Sequence, residues 1–314
     1  MSEKTPLVSV LTLAYNQAPY IRECLDGILM QKTNFAFELL IHDDASTDGT
    51  TDIIREYEAK YPYIIKPIYQ TENQYTRGGK IMERFMYPRA KGKYIAMCEG
   101  DDYWTDPLKL QKQVDFMEAN PDCSLCCHHI NEYLQVENKF KPREYPYILK
   151  GNKKGAFFNN NDRINNWYVD TLAILFRKDK LLSVMSNLSK YTKTVDIYLF
   201  YNLLKGSKGF YFRDTMAIYR KHLGGVWSGS NFEGKMKKDL LWWGELYKYD
   251  KDEYTISMYI KIIDKYYYEI RDKYGLAKAL KFLYNYQLKC KDYSLKRIIK
   301  ILYITLKIYI CKVI

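Results

Sequence analysis

The sequence lacks the apolar segments of a membrane-spanning or secreted protein. No apolar run in its 314 residues approaches the ~18 needed to cross a bilayer. The N-terminus shows no apolar stretch typical of a secretory signal. The seven cysteines are odd in number and irregularly spaced, which argues against a disulfide framework. We therefore expect a protein that is made and kept in the cytoplasm.

Several nucleotide-binding and catalytic motifs are also missing. No Gly-x-Gly-x-x-Gly follows the first predicted strand, and no Gly-Lys-Ser/Thr phosphate loop occurs. These absences argue against a dinucleotide-dependent dehydrogenase and a P-loop nucleotidase. No Gly-x-Ser-x-Gly stands out either, which argues against a serine hydrolase. The segment CSLCCHH (123–129) resembles a zinc site but has no second ligand pair at zinc-finger distance, so a buried strand is favoured.

Positive charge is what the chain has in excess. It carries 49 Lys and Arg against 37 Asp and Glu, a formal net charge of +12. This charge predicts an anionic partner, such as nucleic acid, a membrane surface or a phosphorylated substrate. A hydrophobic content of 47% predicts a globular protein with a sizeable core.

Apolar β-branched runs alternate with helical patterns through the first 120 residues. The predicted strands are 7–15, 37–46, 64–70 and 93–98, and the last predicted helix of this series is 107–120. Such alternation predicts an α/β fold with a mostly parallel, doubly wound sheet. Further along, the pattern predicts a long loop at 136–165, a strand at 169–177, a helix at 196–206 and a strand pair or hairpin at 209–220. From about residue 235 it is helical.

Polar clusters follow three of these strands, at Tyr15-Asn16, at Asp43-Asp44 and in CEGDDYW (98–104). The carboxyl ends of parallel strands share one sheet edge, where ligands bind in such folds. The carboxylates of Glu99, Asp101 and Asp102 repel one another unless a cation lies among them. An all-oxygen set suits Mg²⁺ or Mn²⁺ with a phosphate. The alternative for an isolated acidic triplet is a solvated turn.

Three ordered stretches carry a family resemblance: PLVSVLTLAYNQAPYIRECLDGI, ELLIHDDASTDGTTDII and AKGKYIAMCEGDDYW. Over about residues 6–230 the chain resembles an inverting glycosyltransferase of the GT-A fold, family 2. The resemblance implies a Rossmann-like fold, with a nucleotide-sugar half at 1–130 and an acceptor half at 131–230. It also implies Mn²⁺- or Mg²⁺-dependent transfer from a nucleotide-sugar, such as a UDP-sugar, to a glycan or lipid-linked acceptor in surface polysaccharide synthesis.

The same resemblance assigns roles to individual residues. The residues implied to contact the nucleotide-sugar are Ala14, Tyr15, Asn16, Asp43, Asp44, Arg77, Glu99, Asp101 and Arg220. The implied metal ligands are Asp101, Asp102 and His222, the last within YRKHLGGVWSG (219–229), which resembles a segment that closes over the diphosphate. Glu99 replaces the first Asp of the family's Asp-x-Asp motif, which leaves open which group reaches ribose and which reaches metal. Asp196 is implied to be the catalytic base, and a helix-capping role is its alternative.

Two other functions compete with this one. A sugar-phosphate nucleotidyltransferase would share the sheet and the metal but usually begins with a Gly-rich phosphate loop, which is absent. A non-catalytic nucleotide- or nucleic-acid-binding module would suit the positive charge and the 32 Tyr residues. The acidic motif would then face phosphates without compensation, so we expect no nucleic-acid partner.

The C-terminal region, residues 231–314, is predicted to be helical. Residues 285–314 hold seven Lys or Arg and one Asp. Apolar residues recur there near helical spacing at Leu295, Ile298, Ile299, Leu302, Leu306 and Ile310. A basic amphipathic helix is typical of peripheral binding to an anionic membrane surface, here the inner face of the plasma membrane. The alternative is a helix packed on the catalytic domain or on a second subunit of a homo-oligomer.

Overall fold

The structure is a computed structural model that describes residues 5–151, 154–163, 169–192 and 195–287. The chain divides into two compact units, between Ser230 and Asn231. The first unit contains a ten-stranded sheet, and the described part of the second is helical.

The first part of the chain forms the predicted strand–helix repeats. Its elements are β1 (Val8–Ala14), α1 (Ile21–Leu29), β2 (Phe37–Asp43), α2 (Thr50–Lys60), β3 (Ile65–Tyr69), a π-helical turn (Met82–Met86) and β4 (Tyr94–Met97). Strands β3, β2, β1 and β4 lie side by side and are all parallel. Their apolar side chains are buried, and α1 packs a buried stripe of Ile21, Leu25 and Ile28 at helical spacing. The predicted α/β fold with a doubly wound sheet is confirmed.

The rest of the first unit completes a mixed sheet. Its elements are β5 (Tyr103–Trp104), α3 (Lys109–Ala119), β6 (Cys123–Leu134), β7 (Lys139–Lys141), β8 (Gly155–Phe158), β9 (Leu175–Arg177), α4 (Lys178–Leu188), α5 (Asp196–Leu204) and β10 (Lys208–Lys221). The strand order is β3-β2-β1-β4-β9-β6-β10-β5, with β7 paired to β6 and β8 to β10. Strand β9 runs antiparallel to both β4 and β6, whereas β10 is parallel to β6.

Three predictions for this region are wrong in detail. The strand predicted at 169–177 forms only over Leu175–Arg177, after a 3-10 turn at Thr171–Ala173. The segment predicted as a strand pair or hairpin is one 14-residue strand, β10, which pairs with β6 through register shifts near Phe212 and Thr215. Those bulges interrupt the alternation of side chains, so the sequence resembles two strands joined by a turn. The region 136–165 is not a simple loop, because β7 and β8 lie within it. The segment CSLCCHH does form a buried strand, within β6.

The described part of the second unit consists of α6 (Phe232–Tyr249), α7 (Glu253–Tyr274) and α8 (Leu276–Gln287). A capping box between Asp252 and Thr255 begins α7. Helices α6 and α7 pack through aromatic side chains, and the Tyr266 hydroxyl donates to Asp239 at 2.6 Å. No helix in the described ranges is long and apolar enough to cross a membrane. The predicted basic amphipathic segment lies, from residue 288 onward, outside the described residues.

Candidate active site

The loops after β1 and β2 are bonded to each other at the carboxyl edge of the sheet. The Asn16 side-chain oxygen accepts the Thr47 backbone N–H at 2.8 Å, and the Asn16 backbone N–H donates to the Ser46 hydroxyl at 3.0 Å. Asn16 has a φ of +51°, which asparagine tolerates better than most residues. Beside it, Tyr15 is 48% exposed, so its ring is free to contact a ligand. The Ala14 carbonyl accepts the Asp44 N–H at 2.9 Å.

Asp44 fixes the loop that follows β3. Its carboxylate is buried and accepts the backbone N–H groups of Gln74 at 2.7 Å and Tyr75 at 3.0 Å. The same loop carries Arg77, whose exposed guanidinium pairs with Glu72. Asp44 therefore has a structural partner on each oxygen, and Arg77 lies on a loop that Asp44 holds at the sheet edge.

Asp43 has partners of its own. It is buried and accepts hydrogen bonds from the Ser46 backbone N–H at 3.1 Å and from the Thr51 hydroxyl. These bonds tie the end of β2 to the start of α2, as a turn-forming aspartate does.

The acidic motif directly follows β4. A Cβ atom on Gly100 would lie 2.3 Å from the Gln17 side-chain oxygen and 3.2 Å from the Leu13 carbonyl, so a larger residue between Glu99 and Asp101 would have to displace the Gln17 side chain and would crowd the end of β1. The Glu99 Oε2 atom is buried and has no hydrogen-bond partner among the described residues. Burial, together with the negative charge of Asp101, raises the pKa of Glu99 to about 8.

Glu99→Gln tests the electrostatic cost of this carboxylate in the metal-free protein. The folded state holds the Glu99 proton up to about pH 8, whereas the ordinary pKa is 4.5, so stability falls as the pH rises between these values. Glutamine cannot ionise. We therefore expect the melting temperature of the Glu99→Gln variant to exceed that of the wild type by roughly 3–6 °C at pH 8 and to match it near pH 4.5. Thermal unfolding in chelator measures both, with the exposed Glu137→Gln as control; equal curves at pH 8 would contradict the assignment.

Asp101 and His222 face each other at the same edge. The His222 Nε2 atom lies 2.8 Å from the Asp101 Oδ2 atom, and their side chains are 9% and 20% exposed. The imidazole ring also packs against Tyr20, with ring centroids 4.6 Å apart. The structure thus brings together two of the three residues expected to bind metal.

Asp102, the third expected metal ligand, lies elsewhere. It is 2% exposed, and its Oδ1 atom accepts the Arg220 backbone N–H at 2.8 Å. Burial and the charges of Asp101 and Glu99 raise its pKa well above the usual range. In this position Asp102 fastens the acidic motif to the end of β10.

Arg220, expected to meet a phosphate, has its guanidinium engaged by the protein. It donates to the Asp101 carbonyl at 2.9 Å, to Gln135 at 2.6 Å and to Glu23. Its guanidinium also lies 5.0 Å from the Tyr20 ring centroid. The Arg220 side chain is only 5% exposed. Its contacts link the acidic motif to α1 and to the residue that follows β6.

The donor set at Asp101 and His222 suits a divalent cation. No cluster of three or more metal-binding side chains occurs within the described ranges. Mg²⁺ and related ions are commonly held by one or two protein side chains, with substrate phosphates and water as the remaining ligands. A carboxylate oxygen and an imidazole nitrogen that face each other match that mode, and Mn²⁺ accepts both types of ligand.

Asp196 lies at the first position of α5, where its side chain accepts the Ile197 backbone N–H at 2.8 Å. Burial raises its pKa to about 6, with a contribution from the negative charge of Asp170. The charge of Asp196 in turn raises the pKa of Glu99, which places the two carboxyl groups within electrostatic range. A carboxylate with a pKa near 6 beside the acidic motif is suited to take a proton near neutral pH.

The sequence did not predict a charged cluster that lies within residues 131–230. The Arg143 guanidinium lies 2.5 Å from the Asp170 carboxylate, and the Lys221 ammonium lies 2.8 Å from the Glu132 carboxylate. Asp170 lies within the predicted strand at 169–177 and Lys221 within the segment 219–229, but neither was predicted to belong to a charged cluster. The other two come from β6 and the region predicted as a loop, and no local motif links the four.

The comparisons identify the family. Residues 9–184 match glycosyl transferase family 2, and this match covers more than half of the chain. The chain belongs to that family and carries a glycosyltransferase domain. This membership favours a glycosyltransferase over a nucleotidyltransferase or a non-catalytic binding module.

Two relatives illustrate the range of similarity. An uncharacterised protein of Mycobacterium tuberculosis is 35% identical over 222 residues, which are 70% of this chain and 60% of the relative's length. The glucosyltransferase WfaP of Escherichia coli is 28% identical over 278 residues, 87% of this chain and 95% of the relative; it is named for UDP-Glc and α-D-GlcNAc-diphosphoundecaprenol.

Solved structures share the fold. TarS of Staphylococcus aureus, residues 1–349 in complex with UDP, superposes with a TM-score of 0.59 at 16% identity, covering 84% of this chain and 73% of that one. The mannosyltransferase PcManGT of Pyrobaculum calidifontis, in complex with GDP-Man and Mn²⁺, gives 0.55 at 16% identity, with 96% and 80% covered.

Proposed function

We propose that the protein transfers a sugar, with inversion, from a UDP-sugar to a hydroxyl group of a glycan or lipid-linked acceptor. The observation that carries this proposal is Asp196, a partly buried carboxyl group at the start of α5, whose pKa burial raises to about 6 and whose charge acts on Glu99 of the acidic motif. WfaP is named for a UDP-sugar and TarS binds UDP, which favours a uridine donor. The diphosphate-linked lipid in the name of WfaP favours a lipid-linked acceptor in surface polysaccharide synthesis.

The loops after β1, β2 and β3 would hold the nucleotide. Tyr15 offers an exposed ring for the base, and Asp44 and Asn16 keep the surrounding backbone in place. Residues 1–130 would thus bind the donor, and 131–230 would bind the acceptor.

Asp101 and His222 would hold Mn²⁺ or Mg²⁺, and Mn²⁺ is the cation named in the PcManGT complex. A bound cation supplies positive charge that stabilises the departing diphosphate. Asp102 and Arg220 would act indirectly, because their contacts fix the positions of Asp101 and His222.

Asp196 would act as general base. It takes the proton of the acceptor hydroxyl while that oxygen attacks the anomeric carbon from the face opposite the diphosphate. The bond to the diphosphate breaks as the new glycosidic bond forms, so the configuration inverts and no covalent intermediate with the protein is needed. The transition state has oxocarbenium character, as in glycoside hydrolysis.

A panel of nucleotide-sugars tests the proposal. We expect UDP-sugars with Mn²⁺ to raise the melting temperature and to be hydrolysed slowly, with water in place of the acceptor. Ligand binding to the folded state stabilises it in proportion to the logarithm of the ligand concentration. GDP- and dTDP-sugars should have smaller effects, and chelator should abolish the shift. Equal, metal-independent shifts with all nucleotides, or none with any, would refute the proposal.

A further inference from the structure

One extended segment on the acceptor side has an unusual side-chain order. Residues 139–147, here called the basic strap, run from β7 through Pro142 and Pro146 to Tyr147, the first residue of a 3-10 turn. The residue before a proline favours an extended conformation. Alternate side chains of an extended chain point to the same side. The residues at alternate positions are first basic and then aromatic: Lys139, Lys141, Arg143, Tyr145 and Tyr147.

The basic part of the strap surrounds one carboxylate. Glu132 lies 3.9 Å from the Lys141 ammonium, 3.9 Å from the Arg143 guanidinium and 2.8 Å from the Lys221 ammonium. Arg143 also pairs with Asp170 at 2.5 Å. Three cations thus meet two carboxylates, which leaves an excess of positive charge. The side chains of Lys141 and Lys221 are 59% and 38% exposed, so both ammonium groups still face solvent.

The cluster is linked to the proposed general base through Asp170. Arg143 contacts Asp170, whose charge acts on Asp196. Farther along the strap, Tyr145 packs on His129 with ring centroids 4.2 Å apart, and the Arg213 guanidinium lies 4.2 Å from the Tyr145 centroid. A cavity of about 350 Å³ opens there, lined by Tyr145, Pro146, Tyr147, Leu149, Lys150 and Arg213.

We propose that Lys141, Arg143 and Lys221 bind a phosphate or diphosphate group of the acceptor while its hydroxyl group meets Asp196. This inference rests on the proposed function. Arg and Lys together suit a phosphate, because the guanidinium donates two parallel hydrogen bonds and the ammonium adds a mobile charge. The phosphate can belong to a lipid carrier or to a phosphorylated glycan, and the tyrosines beyond the cations offer an apolar surface to the former.

Two phosphate monoesters, farnesyl phosphate and glucose 1-phosphate, test this site by titration calorimetry. The protein is first saturated with UDP and Mg²⁺, so that the donor site is filled. We expect both probes to bind and neutral glucose to bind far more weakly. Lys141→Gln/Lys221→Gln should weaken both probes about tenfold, since two partly exposed charges are lost. Rising salt should weaken wild-type binding through screening.

Lys91→Gln is the matched control, because Lys91 is exposed and precedes β4 at the opposite edge of the sheet. Tighter binding of farnesyl phosphate than of glucose 1-phosphate identifies a lipid carrier, and equal binding identifies a glycan phosphate. Unchanged binding in the double variant, or glucose binding as tightly as glucose 1-phosphate, overturns the inference. The UDP titration separates the two proposals: failure of UDP to bind counts against the proposed function, and the probes are then titrated without UDP.

Discussion

Asp196→Asn is expected to slow sugar transfer by about 10²–10⁴, the usual contribution of a general base. Asparagine has nearly the same shape as aspartate but cannot take up the proton. Binding of the UDP-sugar should survive, because the base acts on the acceptor. The wild-type rate should also fall below about pH 6, where Asp196 becomes protonated. Steady-state transfer from pH 5 to 8, with donor affinity measured over the same range, checks both expectations.

Asp179→Asn is a suitable control, since Asp179 lies in the first turn of α4 as Asp196 does in α5, but it is exposed. It should leave the rate unchanged. Near-normal transfer by Asp196→Asn would reject the general-base role and make Asp170 the next candidate.

Asp101→Asn is expected to lower transfer on the order of 10³-fold at saturating Mn²⁺, because charge stabilisation by a metal contributes several kcal/mol. The variant should remain folded, since Asp101 makes a side-chain bond only to His222 among the described contacts. Mn²⁺-dependent binding of UDP should weaken in parallel. His222→Gln should reproduce the loss of metal affinity with a smaller loss of rate.

Metal titrations measure these effects, with UDP binding followed by the fluorescence of the protein's tryptophans or by calorimetry. Asp115→Asn, an exposed change on α3, is the control. Full activity of Asp101→Asn in chelator-treated buffer would show that the acidic motif works without metal.

The sequence predicts the first half of the sheet well because each strand there is an apolar run flanked by turn residues and helical spacing. The prediction fails for β10, because bulges near Phe212 and Thr215 break the alternation of buried and exposed side chains. The parallel partner strand also lies some 85 residues away in sequence, since Lys208 pairs with Cys123. The strands β7 and β8 have only three and four residues, too short to show a period.

The candidate site, too, could be predicted from the sequence only in part. The motif predicts which carboxylates lie at the sheet edge, since that depends on local chain direction. It cannot distinguish Asp101 from Asp102, because the distinction comes from the Arg220 backbone, more than 100 residues later. The cluster around Glu132 could not be predicted either, because Glu132 lies on β6, Lys141 and Arg143 lie within residues 139–147, and Lys221 ends β10.

The contacts of Arg220 and Lys221 fix the end of β10 just before the turn at residues 223–229. Asp102 and Asp101 hold Arg220 in place, and the Lys221 carbonyl accepts the Gln135 N–H at 3.0 Å. After His222 the chain folds back on itself, and a Cβ atom on Gly229 would lie 2.0 Å from the Leu223 carbonyl. Segment 223–229 is therefore a compact turn that follows a fixed end of β10, and a movement of this turn about His222 would leave β10 and the acidic motif in place.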